Sequence, residues 1–318
     1  SVAQQINYAT HQNDVPVIAD LTLANRGEKD LEALVLTLVV DPPLIAEKRW
    51  RIDRLPGGSE LRLRDRKVSL SGASLSRLTD KRRAELSLRL TRGDEVIAEE
   101  QREIVGLAHN EWGGASHMPE LLAAFVMPND PAVSRLLKEA SEILRRSGKD
   151  PSLEGYQQKS RKRVWEIAAA IWSAVAQRRL TYSEPPASFE RNGQKIRTPG
   201  EVLDNGIATC LDTAVLFASA LEQIGLRPLI AFTEGHAICG LWLQPQTLPS
   251  LITDDPSELR KHIDLTELLL FETTLVTHEP PKKYSKAIET ANGEIAEAVE
   301  QKFVYALDIA RARQQQIS

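Results

Sequence analysis

The chain has 318 residues, 42% hydrophobic and 26% charged, a composition typical of ordinary globular proteins with two or three folding units. Its 40 Lys and Arg against 44 Asp and Glu give a net charge of −4, without the basic excess of a dedicated nucleic-acid binder. No stretch reaches the ~18 consecutive apolar residues of a membrane span, and two cysteines cannot form a disulfide framework, so we expect a cytoplasmic protein without membrane segments.

Residues 1 to 108 predict an immunoglobulin-like β-sandwich. Apolar residues recur at every second position, as on half-buried strands, in Val17 to Leu23, Leu34 to Val40, Leu61 to Leu63 and Leu86 to Leu90. About seven short strands separated by turn-forming clusters are typical of this fold. His11 and His109 have no partner at a metal-ligand spacing. We therefore interpret this unit as a binding or spacer module without chemistry of its own.

Residues 109 to 155 predict a helical linker region. Asp130 and Pro131 have the pattern of an N-cap followed by a first helical residue, and Gly148 provides a stop. A second helix is predicted from Gln158 to Arg178, at the start of a domain spanning residues 156 to 280. Its apolar face is wide, so this helix should be buried on more than one side.

The stretch from Thr209 to Asp212 predicts a helix start. Thr209 can cap the helix, and Asp212, three residues later, can return a hydrogen bond. Cys210 would then occupy the first helical position, where unpaired N–H groups and the positive end of the helix dipole favour a thiolate. The charge of Asp212 opposes that thiolate, so the site still requires a histidine.

Two strands should follow this helix. We predict a strand over Leu229 to Thr233, a turn, and a returning strand that begins at His236. Because side chains alternate along a strand, Cys239 points to the face opposite His236. Cys239 is therefore interpreted as a small core residue, and Cys210 as the thiol of interest.

Glu272 lies in an otherwise apolar predicted strand, Leu268 to Thr273. A carboxylate there is costly to bury without a partner, and an imidazole that must be oriented is such a partner. Cys210, His236 and Glu272 thus have the residue types of a nucleophile, a base and an orienting acid.

Three segments resemble the transglutaminase-like branch of the papain-like cysteine enzymes: Gly206 to Asp212, Gly235 to Ala237, and Phe271 to Thr274. The resemblance covers about residues 155 to 277 and implies an α+β domain with Cys210 as nucleophile, His236 as base and Glu272 as acid. The superfamily commonly has Asp at the third place, where this chain has Glu272. An oxyanion donor upstream of the cysteine is also implied, and Gln194 and Tyr182 are the candidates.

A narrower resemblance rests on four segments: Glu111 to Gly114, Phe125 to Asn129, Pro185 to Glu190 and the Cys210 segment. These are similar to the N-terminal portion of large bacterial proteins that continue into a superfamily 1 DNA helicase. The resemblance implies that residues 281 to 318, predicted as a C-terminal helix, lead to an absent domain. ATP, Mg²⁺ and nucleic acid would then bind the absent part, and this chain would carry no cofactor or metal.

Two hypotheses of function follow. In the first, the chain is an accessory cysteine hydrolase or acyl-transfer module, protease- or amidase-like, in which Cys210 attacks a peptide or side-chain amide and His236 shuttles the proton. In the second, it is a catalytically inactive binding or regulatory scaffold of a helicase protein, because fold does not fix function. Direct DNA binding by this chain ranks third, given its net charge.

Overall fold

The computed structural model describes all 318 residues, and the chain divides into two units, Ser1–Glu111 and Trp112–Ser318. Both the predicted linker region, 109–155, and the predicted C-terminal segment, 281–318, fall almost entirely within the second unit. The helices include none that is both long and apolar enough to cross a membrane.

Long strands form most of the first unit. Its elements are β1 (Gln5–Ile6), α1 (Tyr8–Gln12), β2 (Thr22–Ala24), β3 (Leu31–Asp41), β4 (Lys48–Leu55), β5 (Glu60–Arg62), α2 (Gly72–Leu75), β6 (Arg82–Arg92) and β7 (Glu95–Gly106), before β8 (Glu111–Trp112) at the boundary. The main sheet has the order β1-β7-β6-β3-β4, and β2 pairs with β5 in a separate two-stranded sheet. Leu34, Leu36, Leu38 and Val40 on β3 are buried, as their alternation predicts.

The immunoglobulin-like sandwich is not confirmed for this unit. Strands β3, β6 and β7 have 11, 11 and 12 residues, whereas about seven short strands were expected. Only the end of the alternating stretch Val17 to Leu23 forms a strand. Val17 and Ile18 are buried in an irregular segment, in which the Val17 carbonyl accepts from the Ala3 amide at 2.8 Å. An alternating pattern therefore marks burial here without marking a strand.

The second unit is a mixed α/β structure around an antiparallel sheet of order β14-β16-β12-β13-β15. Its elements are α3 (Pro131–Arg146), α4 (Arg161–Ala176), β9 (Thr181–Tyr182), α5 (Phe189–Asn192), β10 (Gln194–Lys195), α6 (Pro199–Asn205), β11 (Ile207–Ala208), α7 (Cys210–Gln223), β12 (Pro228–Thr233), β13 (His236–Trp242), β14 (Ile252–Thr253), α8 (Pro256–Asp264), β15 (Leu268–Phe271), α9 (Tyr284–Glu294), β16 (Phe303–Asp308) and α10 (Ile309–Gln314). Short 3₁₀ helices occupy Pro119–Phe125, Thr273–Thr277 and Glu297–Lys302.

Helix α7 is the centre of the second unit. Every residue from Cys210 to Leu221 is buried, because α7 packs on β12 and β13 on one side and on α3 and α4 on the other. The predicted N-cap of α3, Asp130, is confirmed, and its carboxylate accepts from the Ala132 amide at 2.8 Å. Helix α3 is therefore part of this core, and the expected linker region before residue 156 is not a separate segment.

The prediction of a continuous C-terminal helix is wrong. Helix α9 ends at Glu294, and Phe303–Asp308 forms β16, which hydrogen-bonds to β12 on one side and β14 on the other. Helix-forming residues surround this segment, but the strand gains backbone partners and buries Tyr305 to Asp308 in the sheet. Tertiary pairing thus overrides local propensity.

Deleting residues 303–318 should abolish cooperative folding of the second unit. The deletion removes β16, which separates β14 from β12, and with it Asp308, which accepts from Trp242 Nε1 at 3.0 Å and from the Leu248 amide at 2.9 Å. These losses should exceed the roughly 5 to 15 kcal/mol that stabilises a typical domain. Urea unfolding followed by tryptophan fluorescence measures the effect, with deletion of residues 315–318 as the control. If the chain without residues 303–318 unfolded in urea with the same cooperative transition as the full chain, the prediction would be contradicted.

Candidate functional site

Cys210 is the first residue of α7, as predicted. Thr209 is the N-cap, its hydroxyl accepts from the Asp212 amide at 3.2 Å, and the Asp212 carboxylate accepts from the Thr209 amide at 2.9 Å. This reciprocal capping box fixes the start of the helix. The backbone N–H of Cys210 therefore has no acceptor within the helix and lies at the positive end of the helix dipole.

His236 lies between Cys210 and Glu272. Its imidazole hydrogen-bonds Glu272 through a contact that joins His236 Nε2 to Glu272 Oε2, and the Cys210 side chain lies near the ring. Because Nε2 faces the carboxylate, Nδ1 is the nitrogen left to exchange a proton with the Cys210 thiol. The three residues selected from the sequence thus lie close together, with a hydrogen bond between His236 and Glu272.

The sheet and α7 hold these groups in place. His236 is the first residue of β13, and β13 pairs with β15 in a register that aligns Cys239 with Phe271. Glu272, the residue after Phe271, therefore lies next to the first half of β13. The Thr213 hydroxyl, one turn into α7, bonds to the Thr273 hydroxyl at 2.8 Å. That bond ties the helix carrying the thiol to the segment carrying the acid.

Glu272 is buried and held by donors other than the imidazole. Its Oε1 accepts from the Thr274 amide at 2.8 Å and from the Thr274 hydroxyl at 2.6 Å. Burial opposes the charged carboxylate, but the hydrogen bond and charge of His236, followed by the Thr274 bonds, outweigh burial and lower the pKa of Glu272. The carboxylate therefore stays ionised and leaves one oxygen for the imidazole. No pattern of residues in the sequence indicates this role for Thr274.

The His236 imidazole keeps its proton at pH values well above those at which a histidine usually loses it. Burial opposes the charged ring, but the hydrogen bonds to Cys210 and Glu272 and the charges of both outweigh it and raise the pKa of His236 to about 10. An imidazolium at neutral pH is the partner that stabilises a thiolate.

Tyr182 meets the thiol from the other side. Strand β9 runs parallel to β11, with Tyr182 paired to Ala208, two residues before Cys210. The Cys210 side chain lies near the Tyr182 hydroxyl, and burial, followed by the charge of Cys210, raises the pKa of Tyr182. The phenol therefore remains a proton donor at neutral pH.

Gln194, the other oxyanion candidate, contacts the helix start instead of the thiol. Its Nε2 donates to the Thr209 hydroxyl at 3.0 Å, and its Oε1 is buried without a hydrogen-bond partner. The amide group is thus engaged by the N-cap residue. Of the two candidates, Tyr182 is the one that the structure brings to Cys210.

The Cys210 residue has an exposed fraction of 0%, while the His236 side chain is 23% exposed. Because Sγ is covered, an electrophile reaches it only after a neighbouring side chain moves. Tyr182 and His236 are the partly exposed groups beside the thiol, so the site would open where they lie.

Cys239 is fully buried in β13, paired with Ile230 on one side and Phe271 on the other. Burial raises the pKa of its thiol, which opposes formation of a thiolate. The interpretation of Cys239 as a core residue agrees with this environment.

Asp212 does not act on the thiol as an unbalanced charge. Its buried carboxylate pairs with the Arg197 guanidinium, with 2.7 Å between Arg197 Nη1 and Asp212 Oδ2. Nothing in the sequence signals this partner, because Arg197 lies in a loop before α6 and outside any periodic pattern.

Comparisons with known proteins place this chain in no family. No protein-family description matches the chain, and no curated protein matches it. Among solved structures, the chain is similar to the periplasmic domain of TgpA from Pseudomonas aeruginosa, with a TM-score of 0.26 and 12% identity over 91% of this chain and 100% of that one. A TM-score this low carries no argument about fold or function.

Proposed function

We propose that the second unit is a transglutaminase-like cysteine hydrolase or acyl-transfer module that acts on peptide or side-chain amides. The observation that carries this proposal is the His236–Glu272 hydrogen bond beside Cys210, which lies at the N-terminus of α7. A thiol, an imidazole and a buried carboxylate in this order have the roles of nucleophile, base and orienting acid.

The proposed reaction has two halves. The Cys210 thiolate attacks the amide carbon, a C–S bond forms, and the C–N bond breaks as the His236 imidazolium gives its proton to the leaving amine. Water or an amine then attacks the thioester, His236 takes the proton of the incoming nucleophile, and the C–S bond breaks. The products are a carboxylic acid or a new amide, and the thiolate and imidazolium are restored.

Two donors would stabilise the oxyanion in this proposal. The backbone N–H of Cys210 has no acceptor within α7, and the Tyr182 hydroxyl lies near the thiol. Displacement of Tyr182 from Sγ by the substrate would uncover the nucleophile and free the phenol to bond the developing negative charge. Gln194 would act indirectly, through its hydrogen bond to Thr209.

Reaction with iodoacetamide tests the proposal. Near neutral pH, Cys210 should be alkylated faster than a free thiol such as glutathione, because the thiolate is the reacting form and the His236 imidazolium stabilises it. Mass spectrometry of the peptides containing Cys210 and Cys239 gives the two rates separately, and the ultraviolet absorbance of the thiolate reports ionisation without requiring access. Tyr182→Ala should react faster still, because the smaller side chain uncovers Sγ.

The complete burial of Cys210 favours a second candidate, a catalytically inactive binding scaffold. A thiolate signal that is absent at neutral pH, together with slow alkylation in both wild type and Tyr182→Ala, would support the scaffold and reject the enzyme. The association with a helicase part, the binding role of the first unit and the cytoplasmic location stay predictions from sequence.

A further inference from the structure

A buried ion pair lies next to the start of α7. Asp212 has an exposed fraction of 0%, and its Oδ1 accepts from the Arg197 amide at 2.8 Å. Its Oδ2 accepts from Arg197 Nη1 at 2.7 Å and from the Thr209 amide at 2.9 Å. Both the main chain and the side chain of Arg197 therefore hold the carboxylate of the capping box.

The Asp212 carboxylate belongs to the same first turn of α7 as Cys210, two residues along the chain. A buried carboxylate two residues after Cys210 would oppose a second negative charge on Sγ unless a cation neutralised it. The Arg197 guanidinium supplies that cation, and its side chain is 34% exposed, so part of its hydration is retained. The same bonds orient the Thr209 to Asp212 turn that begins the helix.

We propose that Arg197 is a positioning residue for Cys210: it neutralises Asp212 and so allows the thiolate to form at neutral pH. The inference rests on the proposed function, in which Cys210 is the nucleophile. Arg197 acts through Asp212 and touches no reacting atom.

Other titratable groups face Cys210 from the neighbouring elements. They are Tyr182 on β9, His236 on β13 and Glu272 after β15, with Glu184 close to Tyr182. A substitution at Arg197 leaves all of them in place. A change in the ionisation of Cys210 in such a variant would therefore come from the unbalanced charge of Asp212.

The test compares the full chain with three variants, using iodoacetamide as the probe over a range of pH. In Arg197→Met, the acid-side midpoint of the Cys210 alkylation rate should rise by about one pH unit, because Asp212 is left without its cation. Arg197→Lys keeps the charge and should retain the wild-type midpoint. The double variant Arg197→Met/Asp212→Asn removes both charges, so its midpoint should also equal that of the wild type.

The controls separate this role from simple stabilisation. A purely structural role would lower the unfolding midpoint in urea but leave the alkylation profile of the folded protein unchanged, and that result would overturn the proposal. If Arg197→Met fails to fold, Arg197→Gln replaces it with the same expected rise: a wild-type midpoint in that variant would overturn the proposal, and a raised midpoint that Arg197→Lys does not show would support it. Slow alkylation of Cys210 in both wild type and Tyr182→Ala, with no thiolate absorbance at neutral pH, would reject the proposed function instead.

Discussion

Replacing His236 with glutamine should slow the acylation of Cys210 by p-nitrophenyl acetate by about 10² to 10⁴-fold near neutral pH, the usual range for loss of a positioned acid–base group. Glutamine has a similar size and can still donate a hydrogen bond to Glu272, but it carries no titratable proton. The variant therefore loses the positive charge that stabilises the thiolate while it keeps a partner for the buried carboxylate. Release of nitrophenolate in a single turnover measures the rate.

Cys210→Ala supplies the background in this experiment, because it removes the nucleophile and leaves His236 and Glu272 in contact. A rate in His236→Gln within a few-fold of wild type would mean that the imidazole does not assist the thiol. Equal rates in wild type, His236→Gln and Cys210→Ala would show that no acyl-enzyme forms with this ester, which favours the scaffold.

Local rules were sufficient to predict the position of the thiol. Thr209 and Asp212 are three residues apart, and a capping box depends on that short spacing alone, so the sequence placed Cys210 at the first residue of α7. The choice of His236 and Glu272 depended on residue type within predicted strands. Their contact depends on the pairing of β13 with β15, which no local pattern encodes.

Features that depend on distant partners were missed. Strand β16 lies among helix-forming residues, and its identity comes from hydrogen bonds to β12, more than 70 residues earlier in the chain. The Arg197 ion pair spans 15 residues and joins a loop to a helix start. Cys210 has 0% exposure, with Tyr182 on β9 and His236 on β13 beside it, and the composition of α7 alone cannot reveal this burial.

The His236–Glu272 contact should also make the stability of the second unit depend on pH. The pKa of His236 is raised from its ordinary 6.5 to about 10 in the folded protein. The folded state therefore holds this proton more tightly than the unfolded state does. The resulting stabilisation is fully present below pH 6.5 and is lost as the pH rises through 10. At about 1.36 kcal/mol per pH unit, the free energy of unfolding should fall by roughly 4 kcal/mol across this interval.

Glu272 limits stability at the acid side. Burial alone would raise the pKa of Glu272, but the hydrogen bond and the charge of His236 outweigh burial. The pKa is therefore lowered from its ordinary value of 4.5. The stabilisation from this carboxylate is present above pH 4.5 and is lost as the pH falls through its folded pKa. The pair should therefore stabilise the unit most between about pH 4.5 and 6.5.

Urea unfolding at a series of pH values measures this dependence, and tryptophan fluorescence reports chiefly on the second unit because only Trp50 lies in the first. His236→Gln should flatten the decline between pH 6.5 and 10, because glutamine does not titrate in that interval. Cys210→Ala keeps the Glu272 contact but removes the neighbouring thiol, which also contributes to the raised pKa of His236, so its decline should be intermediate. Parallel curves for wild type and His236→Gln would mean that the imidazole is not held charged by Cys210 and Glu272.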